Sequence, residues 1–375
     1  MDLTIFDDIR PYYDSEISAV IQRVADNPLF PAIVNYLFPE EKVEKYIQEF
    51  RKITSTNEFQ GQIMHHVIRS IVEKSSSGLS AIGFEKLDDK QKCMFIGNHR
   101  DILLDSAILQ ILLRENALST SEITFGSNLM TSQFVIDIGK MNKMFKIIRG
   151  GNIRDFYRNS MHVSSYMRYA ITEKGQSVWI AQRNGRTKNG DDKTEMAVLK
   201  MFALSSNKSF IPNLLELNIT PLVISYEYEP CDFLKVAELY VSKYQKYVKE
   251  PNEDFNSIIQ GITQWKGNIE FVVCDTITKE ELDACDSLMR NEKFQRLAEI
   301  IDQRIYKNYK LWTTNYIAYD MLNKSDVYGK EYTEDQRKAF ENYMNEGLEK
   351  IEGEYEELKM IFLEIYANPV KNKKL

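Results

Sequence analysis

The chain has 375 residues, 43% of them hydrophobic and 27% charged, ordinary proportions for a globular protein with room for one large α/β domain and a helical one. Its 48 Lys and Arg against 55 Asp and Glu leave a formal charge of −7, which argues against broad binding to nucleic acid. No apolar run reaches the eighteen or more residues that a bilayer-spanning helix needs.

In chain order, the acidic start from Met1 to Asp8 lacks the basic and apolar regions of a signal peptide. Residues 1–77 read as helices, with apolar residues at helical spacing through Ile17, Val20, Ile21 and Val24 and again through Ile63, Val67, Ile68, Ile71 and Val72. Pro28, Pro31 and Pro39 break them into short pieces. Ser75-Ser76-Ser77-Gly78 marks a boundary. A strand is then predicted over 79–84, and strict alternation follows: strand 93–97, helix 102–115, strand 122–126, a helix near 131–139 and strand 144–149. Helix 153–174, strand 177–182, helix 193–204 and strand 221–226 continue it. Helices over 232–266 and a strand over 269–274 complete it. This alternation predicts an α/β fold with a mainly parallel, mixed sheet flanked by helices. The organisation read from it is an N-terminal helical region over 1–77, an α/β domain over 78–280 and a helical C-terminal extension over 281–375 ending in the basic tail Lys371–Leu375. Cys93, Cys231, Cys274 and Cys285 show no CxxC spacing and no zinc pattern, and are expected to be reduced core thiols of a cytosolic protein.

Four blocks follow predicted strands. The first is Asn98-His99-Arg100-Asp101 with Asp105, behind the apolar run Cys93–Ile96. A His on a strand-to-helix turn, with a carboxylate a few residues on, is the smallest unit that deprotonates a hydroxyl near neutral pH. The chain has only His65, His66, His99 and His162, so His99 is the first candidate. The second block is Phe145–Ile148 with Arg149, Gly150 and Gly151; the third runs from Val178 to Gly190 and holds Arg183, Gly185, Arg186, Thr187 and Lys188. The fourth, Ile219–Pro230, carries Pro221, and its alternating Tyr226, Glu227, Tyr228 and Glu229 read as a partly exposed strand. Ligands of open α/β sheets sit beyond the carboxyl ends of the strands, where these blocks could form one site. Arg149 and Arg186 carry forks suited to phosphate, and glycines let backbone approach a ligand. From Lys140 to Lys200 there are 13 Lys and Arg against 5 Asp and Glu, so an acidic chain concentrates positive charge where these blocks lie. Each block alone has a plainer reading, as a helix cap, a turn or a solvated loop.

The order of the four blocks resembles the glycerolipid acyltransferase family, the glycerol-3-phosphate and lysophosphatidate acyltransferases, over residues 79–275. Asn98-His99-Arg100 matches the start of the first motif, Arg149 the second, Gly185-Arg186-Thr187 the third and Pro221 the fourth. The sequence departs from the family in two places. Five residues separate His99 from Asp105 where the family has four, with Asp101 nearer, and Arg183-Asn184 stand where the family has Glu-Gly. The resemblance implies His99 as general base, Asp105 or Asp101 as its carboxylate partner, and direct attack of an acceptor hydroxyl on an acyl thioester. Arg149 and Arg186 would hold the acceptor phosphate or an acidic donor, with Arg100, Arg183, Gly185, Thr187, Lys188 and Lys193 beside them and Pro221 shaping the site strand. No cofactor or metal is expected beyond the thioester co-substrate, acyl-CoA or acyl-carrier protein. The acceptor would be a phosphorylated glycerol or lysolipid.

A cytoplasmic enzyme in peripheral contact with the inner face of the membrane is the implied setting, with Leu29–Val34 and Tyr36–Phe38 as candidate amphipathic contacts. Other acceptors, such as an acylated amino acid lipid, and a non-catalytic lipid- or acyl-carrier-binding protein of the same fold remain as alternatives. His99-Arg100-Asp101 is not a kinase catalytic loop, since Ser106 stands where an Asn is needed and no glycine loop or Asp-Phe-Gly accompanies it.

Overall fold

The computed structural model describes residues 3–38, 42–148, 150, 152–289 and 291–374. Among them seven strands form one sheet in the order β1-β7-β6-β2-β5-β3-β4. The strands are β1 (Gly78–Ile82), β2 (Met94–Gly97), β3 (Glu122–Gly126), β4 (Met144–Ile147), β5 (Val178–Ala181), β6 (Ile219–Tyr226) and β7 (Asn268–Val273). Every pairing is parallel except β6 with β7. The fold is α/β with a mainly parallel, mixed sheet, and helical segments lie at both ends of the chain.

Short apolar runs make the central strands because both sheet faces are covered. β2 and β6 are buried along their whole length. Successive side chains of a strand point to opposite faces. Met94, Ile96, Val178 and Ile180 therefore enter one layer, with Val163 and Met167 of the Ile153–Thr172 helix and Leu297, Ile301 and Ile305 of the Asn291–Asn308 helix. Phe95 and Trp179 enter the other, against Leu104, Ile108 and Leu112 of the Leu104–Glu115 helix. The N-terminal helices have their own core around Ile17, Ile21, Phe50 and Phe59, and a C-terminal core gathers Val236, Ile317, Phe340 and Phe362.

The expected strands fall within a few residues of the observed ones, and several differences are instructive. The span read as helix over 232–266 is two helices, Asp232–Tyr244 and Glu253–Thr263. A short helix, Phe210–Leu215, and a π-helical turn, Phe59–Met64, went unpredicted. Residues 371–373 of the basic tail form the last turn of the Tyr355–Lys373 helix, where Lys373 Nζ donates to the Tyr309 carbonyl (2.8 Å). Phe30 and Val34 of the candidate amphipathic segment are buried in the N-terminal core, so packing accounts for that apolar face.

From β2 the sheet extends on one side through β5, β3 and β4, and on the other through β6, β7 and β1. β2 is thus where the strand order reverses, and the crevice beyond its carboxyl end is the place a ligand enters such a sheet. His99 lies two residues past that end.

Candidate active site

Asn98, fully buried, closes the end of β2. Its Oδ1 accepts from Ile224 N (2.8 Å) and its Nδ2 donates to the Ile224 carbonyl (2.9 Å), which ties the turn to β6. The backbone then swings so that His99 Nδ1 lies 2.8 Å from Asp105 Oδ2. Asp105 is in the first turn of the Leu104–Glu115 helix, where the positive end of the helix dipole suits a carboxylate. The same oxygen accepts from the backbone N–H of Arg100 (2.6 Å) and of Asp101 (2.9 Å). Its other oxygen accepts from Tyr226 Oη (2.9 Å). A carboxylate surrounded by donors in this way assigns the Nδ1 proton to His99 and leaves Nε2 as the basic nitrogen. Burial first, and then the Asp105 charge, hold the Tyr226 phenol well above its usual pKa, so it stays a donor.

Asp101 has a different task. Its Oδ1 accepts from Leu103 N (2.8 Å) and Leu104 N (2.7 Å), which caps the helix. Burial and the charge of Asp105 push its carboxyl above the usual range. The carboxylate against His99 is therefore that of Asp105, while Asp101 holds the turn between the two.

Arg100, expected to meet the acceptor, instead faces inward and is 1% exposed. Its guanidinium bonds Asp192 and Glu229, while Lys235 Nζ bonds Glu229 (2.6 Å) and the Arg100 carbonyl (2.8 Å). Burial opposes the Arg100 charge, but the two carboxylates overcome it and raise its pKa. With both terminal nitrogens bonded to buried carboxylates, Arg100 is a structural cation. Thr187 belongs to the same frame: its hydroxyl donates to Asp192 (2.7 Å) and its N–H to the His99 carbonyl (2.7 Å).

A cavity of about 620 Å³ opens at His99, within the range of small-molecule sites. Leu103, Ser106, Ala107, Gln110, Ile111 and Arg114 line it from one face of the Leu104–Glu115 helix. At 1.5 Å per residue that wall is roughly 16 Å long. Phe125, Phe134, Ile138 and Met144 form the opposite wall. Beside His99 the cavity is basic, lined by Arg183, Arg186, Lys188 and Lys249. Lys188 is ion-paired with Glu238 and Lys249 with Asp254. Burial lowers the Lys188 pKa and the neighbouring Arg186 charge adds to the effect. Among the described residues no carboxylate forms an ion pair with Arg183 or Arg186. Arg186 is 7% exposed, its Nη2 donates to Ser257 Oγ (3.2 Å), and its Nη1 is buried without a partner.

Gly185 lines the cavity in a left-handed conformation (φ 80°), which glycine adopts without strain. Lys193 lies elsewhere, exposed and paired with Asp191 (2.8 Å). Pro221 is buried in β6, opposite Ile96, and its carbonyl accepts from Cys274 N (2.9 Å). Its role is in the sheet. Arg149 and Gly151 lie outside the described residues. The four Cys are buried free thiols. Among the described residues no group of three His, Cys, Asp or Glu side chains could hold a metal ion, and no helix is long and apolar enough to cross a membrane.

Several residues of the site escaped the sequence reading. Tyr226 and Glu229, read there as parts of an exposed strand, are 1% and 3% exposed. Asp192, Lys235 and Trp179 complete the surroundings. The Trp179 indole packs edge-on to the His99 ring at 5.7 Å, and its Nε1 is buried without a partner. An apolar strand ending in Tyr was the one available signal for Tyr226. Nothing local reveals that β6 lies next to β2.

No protein-family model matches this chain, and no curated protein matches it in sequence. Among solved structures it is similar to the crystal structure of the 1-acyl-sn-glycerophosphate (LPA) acyltransferase PlsC from Thermotoga maritima. The identity is 9% and the TM-score 0.38, over 77% of this chain and 91% of that one. A likeness at this level carries no argument about activity, which rests on the geometry above.

Proposed function

We propose that the chain is an O-acyltransferase that moves a fatty acyl group from a thioester, acyl-CoA or acyl-carrier protein, to a hydroxyl of glycerol-3-phosphate or lysophosphatidate. The observation that carries this reading is the Asp105-oriented His99 on a largely apolar cavity whose lining also holds Arg183 and Arg186, neither of them ion-paired with a carboxylate among the described residues. His99 Nε2 takes the acceptor hydroxyl proton as its oxygen attacks the thioester carbonyl. The carbon–sulfur bond then breaks, and the proton passes from the imidazolium to the departing thiolate. Asp105 holds the ring in place and stabilises its charged form. Leu103, Ala107 and Ile111 on one side and Phe125, Phe134, Ile138 and Met144 on the other accommodate an acyl tail, and Arg183 and Arg186 suit a phosphate.

The test is acyl transfer by purified wild-type protein and His99→Ala. Palmitoyl-CoA and an acyl-carrier thioester are offered against glycerol-3-phosphate, lysophosphatidate and lysolipids without phosphate. Product from wild type alone, with phosphate-bearing acceptors, is expected. Equal product from both proteins would overturn the role of His99. Turnover only with acceptors lacking phosphate would overturn the acceptor assignment, and absence of any transfer would overturn the reaction.

A further inference from the structure

Gly261 is buried in the interior of the Glu253–Thr263 helix, where glycine costs roughly 1 kcal/mol relative to alanine. Its φ is not positive, so conformational freedom does not account for it. Packing accounts for it instead. A Cβ at this position would stand 2.1 Å from Asp101 Oδ2, 3.0 Å from Cγ and 3.3 Å from Oδ1. The Asp101 carboxylate thus occupies the place of a side chain on the helix, and its Oδ2 is buried there without a hydrogen-bond partner.

Neither side of this contact has room to retreat. Asp101 is 1% exposed, and its Oδ1 is held by Leu103 N and Leu104 N. Its own N–H donates to Asp105 Oδ2, the oxygen that lies 2.8 Å from His99 Nδ1. A shift of Asp101 therefore reaches the His99 ring through one shared atom. The helix is fixed as well. Its Ser257 carbonyl accepts from Cys231 Sγ (3.3 Å), and Gln264 at its end accepts from Cys231 N (2.7 Å) and donates to Asp232 (3.0 Å). One turn before Gly261, on the same helix face, buried Ser257 accepts at Oγ from Arg186 Nη2 (3.2 Å). One face of this helix thus touches both the turn that carries the base and an arginine of the cavity.

We propose that Gly261 is a positioning residue for His99 and Ser257 one for Arg186, so that the Glu253–Thr263 helix sets the distance between the general base and the anion-binding guanidinium. Acyl transfer requires the acceptor hydroxyl within reach of His99 Nε2 while its phosphate is held, and a misplacement of about 1 Å costs on the order of 10²-fold. A glycine that served only close helix packing would, when replaced, cost stability and leave the imidazole where it is. The inference rests on the acyltransferase reading, but the orientation of His99 is measurable without turnover.

The test compares full-length Gly261→Ala, Ser257→Ala, Asp101→Ser and the double variant of Asp101→Ser with Gly261→Ala. Serine keeps an oxygen to cap the Leu104–Glu115 helix and withdraws the one that a Cβ at 261 meets. Gly261→Ala is expected to lose kcat about tenfold to a hundredfold with KM little changed, and the double variant to return to within about threefold of Asp101→Ser. Ser257→Ala is expected to raise KM for a phosphate-bearing acceptor about three- to tenfold with kcat unchanged. The downfield imidazole N–H signal of His99, identified by its loss in His99→Ala, is expected in wild type and the double variant and lost or shifted in Gly261→Ala. Unchanged kcat or an unchanged imidazole signal in Gly261→Ala overturns the role of Gly261, as does failure of Asp101→Ser to rescue it. Unchanged KM in Ser257→Ala overturns the role of Ser257. If Gly261→Ala does not fold, the double variant decides: folding and turnover like those of Asp101→Ser support the proposal, and a double variant that is also unfolded overturns it. Absence of acyl transfer by wild type sinks the reaction alone, and the imidazole signal then decides the role of Gly261.

Discussion

Tyr226 Oη lies 2.9 Å from Asp105 Oδ1, on the side of the carboxylate away from His99. The phenol, the carboxylate and the imidazole form a line from the end of β6 to the cavity. Tyr226→Phe removes a hydrogen bond to a charged group, an interaction worth about 1.5–3 kcal/mol, and leaves the Asp105 charge less dispersed. Its hold on the His99 ring is then less fixed. Turnover of the variant is expected to fall about tenfold or more with the fold intact. Steady-state rates and urea unfolding check this, and unchanged turnover would show that the phenol only fills space.

The two carboxylates near His99 are separable by a single isosteric change at each. Asp105→Asn turns an amide toward donors that need an acceptor and unsettles the ring tautomer. A loss of turnover on the order of 10³–10⁴ is expected, by analogy with the orienting Asp of a serine protease triad. Asp101→Asn keeps a carbonyl oxygen for Leu103 N and Leu104 N and is expected to change turnover less than about threefold and stability by about 1 kcal/mol or less. Steady-state rates and urea unfolding of the pair decide it.

Arg183→Ala and Arg186→Lys are each expected to raise KM for a phosphate-bearing acceptor about tenfold or more, with a smaller change in kcat, because a planar fork is lost. Lys193→Ala, at an exposed ion pair away from the cavity, is expected to leave both constants as they were. A kcat loss equal to the KM effect would place the arginines at the reacting atoms.

Arg100→Met should unsettle the fold. It leaves buried Asp192 without a cation and Glu229 with Lys235 alone, and breaking a buried pair in this way costs about 3–5 kcal/mol. Urea denaturation reports it, and a stability within 1 kcal/mol of wild type would refute the structural assignment.

Asp232 lies under Tyr343 and Tyr366, both of which donate to it (2.9 and 2.7 Å), beside Gln264 Nε2 (3.0 Å). Burial pushes its carboxyl up to about 6, against the lowering effect of those hydrogen bonds. A raised pKa means that the folded state holds the proton more tightly than the unfolded one. The stabilisation is therefore complete below the unfolded value near 4 and disappears as pH rises through about 6, a change of roughly 3 kcal/mol. Relative to Asp232→Asn, wild type is expected to lose stability between pH 4 and pH 7, as measured by denaturant unfolding at each pH.

Strand positions were legible because short apolar runs between polar turns have few other readings, and β3 falls on the residues expected of it. Pairing was not, because β2 lies between β5 and β6, strands drawn from distant parts of the chain. The same division holds in the site. His99 and Asp105 are close in sequence and share one turn, so their spacing announces them. Arg100 looked like a ligand for phosphate because its carboxylate partners come from Asp192 and Glu229, which only the folded sheet brings near. Tyr226 was missed for that reason too.

The loop that carries Arg183 and Arg186 rests on the far end of the chain. Gly190 meets the Ile365 carbonyl so closely that a Cβ would come within 2.1 Å of it, and Asn368 Nδ2 donates to the Asn189 carbonyl (2.7 Å). During synthesis this loop leaves the ribosome long before the Tyr355–Lys373 helix that supports it, although domains otherwise fold from the N-terminus onward. The loop that forms the basic side of the cavity therefore gains its support only once the last helix has been made.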